Sequence, residues 1–293
     1  MDCGGDEEVR RQENESSNFF RKGHSDTVST LANWRAPGLD GNNILTPEQK
    51  GCRKRARGCK EQAAIDAVVL EHSRKKNRNL NMAYIDYQKA FDSVPHTWLM
   101  HVLKIYGINE NLSTFLKHAM TQWHTKLVIR ASAGTVETED IKIRRGIFQG
   151  DSFSALWFCI ALNPLSNAIK ETGHGYKLKA STVTETVNHL FYMDDLKIYA
   201  SNNTQLQDLL KVVHSISQDI GMTFGLSKCQ IVNVHKGKVV NAPEVELDGM
   251  IISAMGTNGD PYKYLGFLQT NKMEHKKMKQ TLTNQFHARL KAV

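Results

Sequence analysis

Cysteine is sparse in this chain: Cys3, Cys52, Cys59, Cys159 and Cys229 are an odd number of thiols spread over 293 residues. That excludes the dense, even-numbered set of a secreted disulfide scaffold and predicts reduced thiols. Long apolar runs are missing. The longest, Ala155 to Leu162, falls far short of the ~20 residues of a membrane span, and the opening MDCGGDEEVRRQENESS has no apolar leader core. The expectation is an intracellular chain with no membrane partner. Internal repeats and low-complexity tracts are absent too, so no solenoid or fibrous class applies. Acids are outnumbered, 30 Asp and Glu against 38 Lys and Arg, and the net charge of +8 points to a polyanionic partner without naming it. What is present is enough apolar sequence, 40% of the chain, to build a substantial core.

The positive charge is concentrated at two places. Between Asn42 and Arg78 ten Lys or Arg face four acids, and between Tyr262 and Val293 seven face Glu274 alone. Two basic stretches around an acidic middle suit a protein that grips phosphate backbones on either side of metal chemistry, although a charge run also serves plain solubility. Residues 1–41 are polar and weakly periodic, ending in the Pro- and Gly-punctuated NWRAPGLDG, and are read as a tail. After it the periodicities predict amphipathic helices over 61–75, with Ala64, Ile65, Val68, Val69 and His72 inward, over 95–106 and 111–123, over 152–170 with an interruption near Pro164, and over 206–220. Strands are predicted at 81–87 and, as a hairpin, over 126–143, with a second, tight hairpin over 187–200 and short strands at 223–224, 230–234 and 250–252. The fold class is α+β, a sheet with antiparallel hairpins carrying helices on one face.

Three carboxylates stand out against that background. Asp86 lies in an apolar strand, and Asp194 and Asp195 sit at the tip of an apolar hairpin. Buried carboxylates are costly unless paired or holding a cation, and phosphoryl transfer needs such oxygen ligands around two divalent ions. Asp also forms ordinary turns, so from the residues alone both readings are open. Asp92 is expected to cap the helix that begins near Pro95. Cys52 and Cys59 lack a second pair for zinc and read as ordinary thiols.

Taken in order, AYIDYQKAFDSVPH (83–96), RRGIFQGDSFSALWF (144–158), FYMDDLKIYA (191–200), GMTFGLSKCQIV (221–232) and YKYLGF (262–267) resemble successive motifs of reverse transcriptases, with EQKGCRKRARGCKEQ (48–62) pointing toward the non-LTR, LINE-type retrotransposon group. The resemblance covers about residues 33–269. It implies a polymerase palm, an antiparallel sheet backed by helices, over 81–270, with partial fingers over 42–80 and a basic helix over 271–293 that begins a thumb. It implies that Asp86, Asp194 and Asp195 hold two Mg²⁺, with Mn²⁺ as an alternative, and that Lys228 protonates the departing pyrophosphate. Nucleotide contacts fall to Tyr87 through its main-chain carbonyl, to Phe91 as a steric gate against a ribose 2′-OH, and to Gln149 and Gly150. Tyr264, Leu265 and Gly266 match the primer-gripping turn. The implied partners are an RNA template, a DNA primer and dNTPs.

The pattern departs from the family in two places. Only residues 42–47 separate PGLDG from EQKGC, where the family has several dozen residues with cations that clamp the triphosphate. Arg53, Lys54 and Arg55 are the available substitutes. The sequence also ends soon after the primer-grip match, leaving one helix for a thumb. Two functions are therefore carried forward: an RNA-directed DNA polymerase domain working by two-metal catalysis, and a catalytically inactive retroelement remnant that only binds nucleic acid.

Overall fold

The computed structural model describes residues 44–53, 57–132, 134–150, 153–180, 183–241, 243–257 and 260–290. The tail expected over 1–41, and Lys54 and Arg55, lie outside them. Two compact units are present, one built on Thr97–Ile143 and one on Leu45–His96 with Arg144 onward.

The larger unit centres on a five-stranded antiparallel sheet. Its strands are β1 (Leu80–Ile85), β8 (His189–Tyr192), β9 (Asp195–Ala200), β10 (Gln230–His235) and β11 (Lys238–Val240), in the order β11-β10-β1-β9-β8. β1 is central and buried at all six positions, which requires cover on both faces because successive side chains alternate. Helices α5 (Ser154–Glu171) and α6 (Asn203–Asp219) back one face as expected: Tyr87 Oη meets Ser217 Oγ of α6 at 2.8 Å, and His189 Nε2 meets Ser166 Oγ of α5 at 2.7 Å. The other face is covered as well. Leu80, Met82, Tyr84 and Tyr199 pack there with Val69 and Leu70 of α1 (Cys59–Lys75), Tyr176 of the hairpin β6–β7 (Tyr176–Ala180, Val183–Val187) and Tyr264 of the hairpin β14–β15 (Tyr262–Tyr264, Phe267–Gln269). A further hairpin, β12–β13 (Val245–Leu247, Met250–Ile252), and the exposed basic helix α7 (His275–Leu290) complete the unit.

Several expectations are corrected. Helix α1 forms, but its buried face is Gln62, Ala63, Asp66, Val69, Leu70 and Ser73, whereas Ala64 and Val68 face solvent. The helix is rotated because its polar residues find partners inside. Helix α5 runs unbroken through Pro164: thirteen of its residues are buried, Pro164 included, and that packing offsets the one missing N–H donor. Asp92 caps nothing at Pro95. It lies within the four-residue helix α2 (Ala90–Ser93), ahead of α3 (His96–Ile105).

The smaller unit holds most of α3, α4 (Glu110–Thr121) and two ribbons, β2–β5 (His124–Thr125, Ile141–Lys142) and β3–β4 (Val128–Ala131, Gly134–Glu137). Trp98, Leu99, Val102, Leu103, Leu116 and Met120 are buried. The expected single arm over 136–143 breaks at Thr138, whose hydroxyl accepts from Leu127 N–H, so Ile141 and Lys142 pair with a different strand.

Candidate active site at one end of the sheet

The register of β1 against β9 ends at Ile85 opposite Leu196, so the next residue, Asp86, comes level with Asp195. β8 and β9 close at the pair Tyr192–Asp195, which leaves Met193 and Asp194 as a two-residue turn with Met193 at φ +57°. Thus three acids from two segments of chain emerge at one end of the sheet. Their fields interact. Burial raises the Asp194 carboxyl, and Asp86 raises it further; burial, Asp194 and Asp86 together push Asp195 up to about 6.

Lys228 opposes that repulsion. It ends a 3₁₀ turn (Leu226–Lys228), and its Nζ donates to Asp86 Oδ1 at 3.2 Å and to Oδ2 at 3.4 Å. The turn is fixed alongside residues 86–88 by Gly225 N–H on Asp86 C=O at 2.7 Å and Gln88 N–H on Thr223 C=O at 2.9 Å. Tyr262 Oη donates to Lys228 C=O at 2.8 Å, and the Tyr262 ring stacks on Tyr84 at 4.1 Å, which ties the β14–β15 hairpin to the same corner.

The other expected residues fall around this corner in different states. Tyr87 is buried with its hydroxyl on Ser217, so its side chain is committed to the core. Phe91 is half-exposed and stacked on the buried Phe158, centroids 4.3 Å apart. Ile147 N–H donates to Phe91 C=O at 2.8 Å, and the exposed Gln149 and Gly150 follow two residues later. Gly150 has φ +101° with open space where a Cβ would be, so its glycine serves backbone conformation, not close approach within the chain. Tyr264 is buried and accepts from Gln62 Nε2. Leu265 (φ +48°) and Gly266 (φ +83°) form the tight turn that follows it. Of the fingers substitutes, Arg53 donates to Thr46 C=O at 3.3 Å, and the neighbouring Lys50 pairs with Glu61 at 2.7 Å.

Sequence reasoning missed two sets of residues. Gln49, buried, clamps the Met193–Asp194 turn: its Oε1 accepts from Met193 N–H (3.0 Å) and Gly51 N–H (2.9 Å), and its Nε2 donates to Met193 C=O (3.1 Å). The second set lies under β9. Lys197 Nζ donates to Asp66 Oδ1 (2.6 Å) and Gln269 Oε1 (2.9 Å), with Tyr199 Oη also on Asp66 Oδ1 (2.8 Å) and Tyr84 Oη on Gln269 Oε1 (3.1 Å). A lone lysine inside the apolar arm DLKIYA was the available signal.

Among the described residues, no three His, Cys, Asp or Glu side chains are gathered into a group that could hold a metal ion as they stand. The donor chemistry at the corner nevertheless fits a hard divalent cation. Three carboxylates stand at that end of the sheet within reach of one another's fields, and two of them are raised by burial and mutual repulsion, a state that a bound cation would relieve. No helix among the described residues is long and apolar enough to cross a membrane.

The family model described as "Reverse transcriptase (RNA-dependent DNA polymerase)" matches residues 26–268. The chain is 27% identical over 207 residues to a retrovirus-related Pol polyprotein from type-1 retrotransposable element R2 of Popillia japonica, covering 68% of this chain and 33% of that protein. It is 26% identical over 214 residues to the corresponding polyprotein of type-2 element R2DM of Drosophila melanogaster, covering 71% of this chain and 19% of that protein. The chain thus spans a third or less of these relatives' length. Among solved structures, apo telomerase from Candida tropicalis, truncated from its C-terminal domain, aligns over 86% of this chain and 47% of that one, with a TM-score of 0.47 and 15% identity. With the family model matched across most of its length, the chain belongs to the reverse transcriptase (RNA-dependent DNA polymerase) family.

Proposed function

We propose that this chain is the reverse transcriptase domain of a non-LTR retrotransposon, an RNA-directed DNA polymerase that adds dNTPs to a DNA primer 3′-OH on an RNA template. The observation that carries the reading is the register that sets Asp86 level with Asp195 and beside Asp194 at one sheet end. The family generally uses divalent metal ions. Here Asp86, Asp194 and Asp195 would hold Mg²⁺, or Mn²⁺ in its stead. Two such ions, when bound, would activate the primer hydroxyl and neutralise the leaving phosphate. Lys228 is 68% exposed and carries three donors, so it is free to leave Asp86 for the departing pyrophosphate. Phe91, braced by Phe158, stands as the ledge that crowds a 2′-OH, and Gln149 and Gly150 offer exposed backbone to the incoming nucleotide. Tyr264 anchors the hairpin whose Leu265–Gly266 turn meets the primer. Residues 42–80 act as partial fingers, 81–270 as the palm, and α7, with Lys276, Lys277 and Lys279, as the start of a thumb on the phosphate backbone.

A second reading, nucleic-acid binding without catalysis, is favoured by one observation: the three acids are not closed into a metal group, and Lys228 occupies Asp86. Primer extension on a primed RNA template with Mg²⁺ separates the two. The polymerase reading expects extension that Asp194→Asn lowers by about three orders of magnitude, the scale of several kcal/mol of transition-state charge stabilisation. It expects Phe91→Ala to raise ribonucleotide incorporation. Template binding without any extension, in Mg²⁺ or Mn²⁺, would establish the remnant.

A further inference from the structure

Residues 48–52 lie as a strap across the tip of the β8–β9 hairpin. Lys50 N–H donates to Phe191 C=O and Phe191 N–H to Glu48 C=O, both at 2.9 Å, and Gln49 holds Met193 from both sides of its peptide. The strap is pressed close: a Cβ at Gly51 would lie 2.7 Å from Met193 Sδ and 2.9 Å from its nitrogen. It leads to Cys52, which is exposed and held at φ +53°. Cys52 Sγ is 3.8 Å from Met193 Sδ. The buried Cys159 of α5 brings its Sγ to 3.4 Å from the same sulfur. One accessible thiol and one buried thiol, 107 positions apart in sequence, therefore meet at the side chain of the residue that precedes Asp194.

The geometry points to Cys52 and Cys159 as a peroxide-reactive dithiol, in which Cys52 is the thiol that attacks peroxide arriving from solvent and Cys159 the thiol that resolves it into an intramolecular disulfide. The two sulfurs are suited to those separate roles. A hydrogen bond from Cys159 holds the Cys52 thiol down to about 7, while that same bond and burial push Cys159 up, so that Cys159 keeps its proton. Cys229, buried against the Asp86 main chain, is the contrasting thiol: burial raises it to about 11 and leaves it inert. In the first step the Cys52 thiolate attacks a peroxide oxygen. An S–O bond forms, the O–O bond breaks, the released hydroxide takes up a proton as water, and Cys52 becomes a sulfenic acid, oxidised by two electrons as the peroxide is reduced. In the second step the Cys159 sulfur attacks Cys52. The S–S bond forms, the S–O bond breaks, and the departing hydroxyl leaves with the Cys159 proton as a second water.

This inference rests on thiol placement and is independent of the polymerase reading. The test uses the full chain at pH 7 with hydrogen peroxide as the probe, followed by alkylation, digestion and peptide mass mapping. At that pH a thiol of pKa about 7 is about half thiolate, against roughly 3% for an unperturbed cysteine; the lower nucleophilicity of a lower-pKa thiolate offsets part of that gain, so Cys52 should react about three- to fourfold faster than free cysteine. The expected product is a Cys52–Cys159 linked peptide, lighter by two hydrogens and restored by dithiothreitol. With Cys159→Ala, Cys52 should stop at a sulfenic acid that dimedone traps; with Cys52→Ser, Cys159 should stay reduced. A link from Cys52 to Cys59 or Cys3, or Cys52 oxidation no faster than free cysteine, would overturn the proposal. The linked-peptide map of the unmodified chain distinguishes these outcomes without any variant.

Discussion

Two lysines meet aspartates along the same sheet, in opposite surroundings. Lys197 and Asp66 are both fully buried, 2.6 Å apart, with Gln269, Tyr199 and Tyr84 adding hydrogen bonds, although Asp66 Oδ2 and Gln269 Nε2 find no partner, and the Tyr84 ring lies 4.5 Å from the ammonium. Lys228 and Asp86 are 3.2 Å apart, the lysine 68% and the aspartate 22% exposed. Inside, the charges are committed to each other, because removing either strands the other in a low dielectric. At the open corner, water screens the pair, and parting it costs little. The first pair joins α1, β9 and the β14–β15 hairpin and so holds the corner in shape. In the proposed polymerase, the second pair is the one that a metal ion or the departing pyrophosphate would displace.

The largest expected effect comes from breaking the buried side of this contrast. Lys197→Met should lower unfolding free energy by about 3–5 kcal/mol, measured by urea titration, as for any buried pair that loses one partner. Pairing it with Asp66→Leu should recover most of that loss; a double variant as unstable as the single would show that the surrounding hydrogen bonds, not the stranded charge, carry the cost.

Gln49 gives the next largest effect. Gln49→Leu removes three hydrogen bonds and leaves half-buried main-chain groups of Met193 and the Gly51 N–H unpaired, which should cost about 2–3 kcal/mol. The loss should concentrate as faster amide hydrogen exchange over residues 190–196. Uniformly faster exchange across the sheet would remove Gln49 from its role at the turn.

Acid tests a buried neutral group in the supporting layer. His189 is fully buried, and burial, then Lys170, lowers it to about 3, so below pH 6.5 the unfolded chain takes up a proton that the folded one does not. Stability from this group is complete above pH 6.5 and is lost as pH falls toward 3, about 1.4 kcal/mol by pH 5.5. Asp195, raised to about 6, acts in the opposite sense over pH 4–6, so the group's own share is the difference between the parent and His189→Gln. Parallel pH profiles for the two would contradict the assignment.

Much of this arrangement was legible in the sequence, for local reasons. β1, the β8–β9 hairpin and α6 each declare themselves through apolar spacing and punctuation, and the end of β1 and the hairpin tip set out Asp86, Asp194 and Asp195. What stayed hidden was the pairing between distant residues. Asp66 and Lys197 are 131 positions apart, and each looks like a misfit in its own segment. Periodicity turned α1 toward Ala64 and Val68 because it counts apolar side chains only, whereas the true inner face carries Gln62 and Asp66, whose partners lie on other elements, and Ser73, whose hydroxyl donates to the main chain just past the helix. Gln49 was invisible for the same reason: its three bonds are to main-chain atoms, and two of them go to a residue 144 positions away.

The most direct measurement sets the two lysines side by side, with urea unfolding and primer extension recorded on the same preparations. Lys228→Ala should shift unfolding by less than about 1 kcal/mol while lowering extension at saturating dNTP, and Lys197→Met should show the reverse order of effect, a stability loss of about 3–5 kcal/mol. If Lys228→Ala extends primers as well as the parent chain, or destabilises the fold as much as Lys197→Met does, the open corner is a structural ion pair and not the seat of the chemistry.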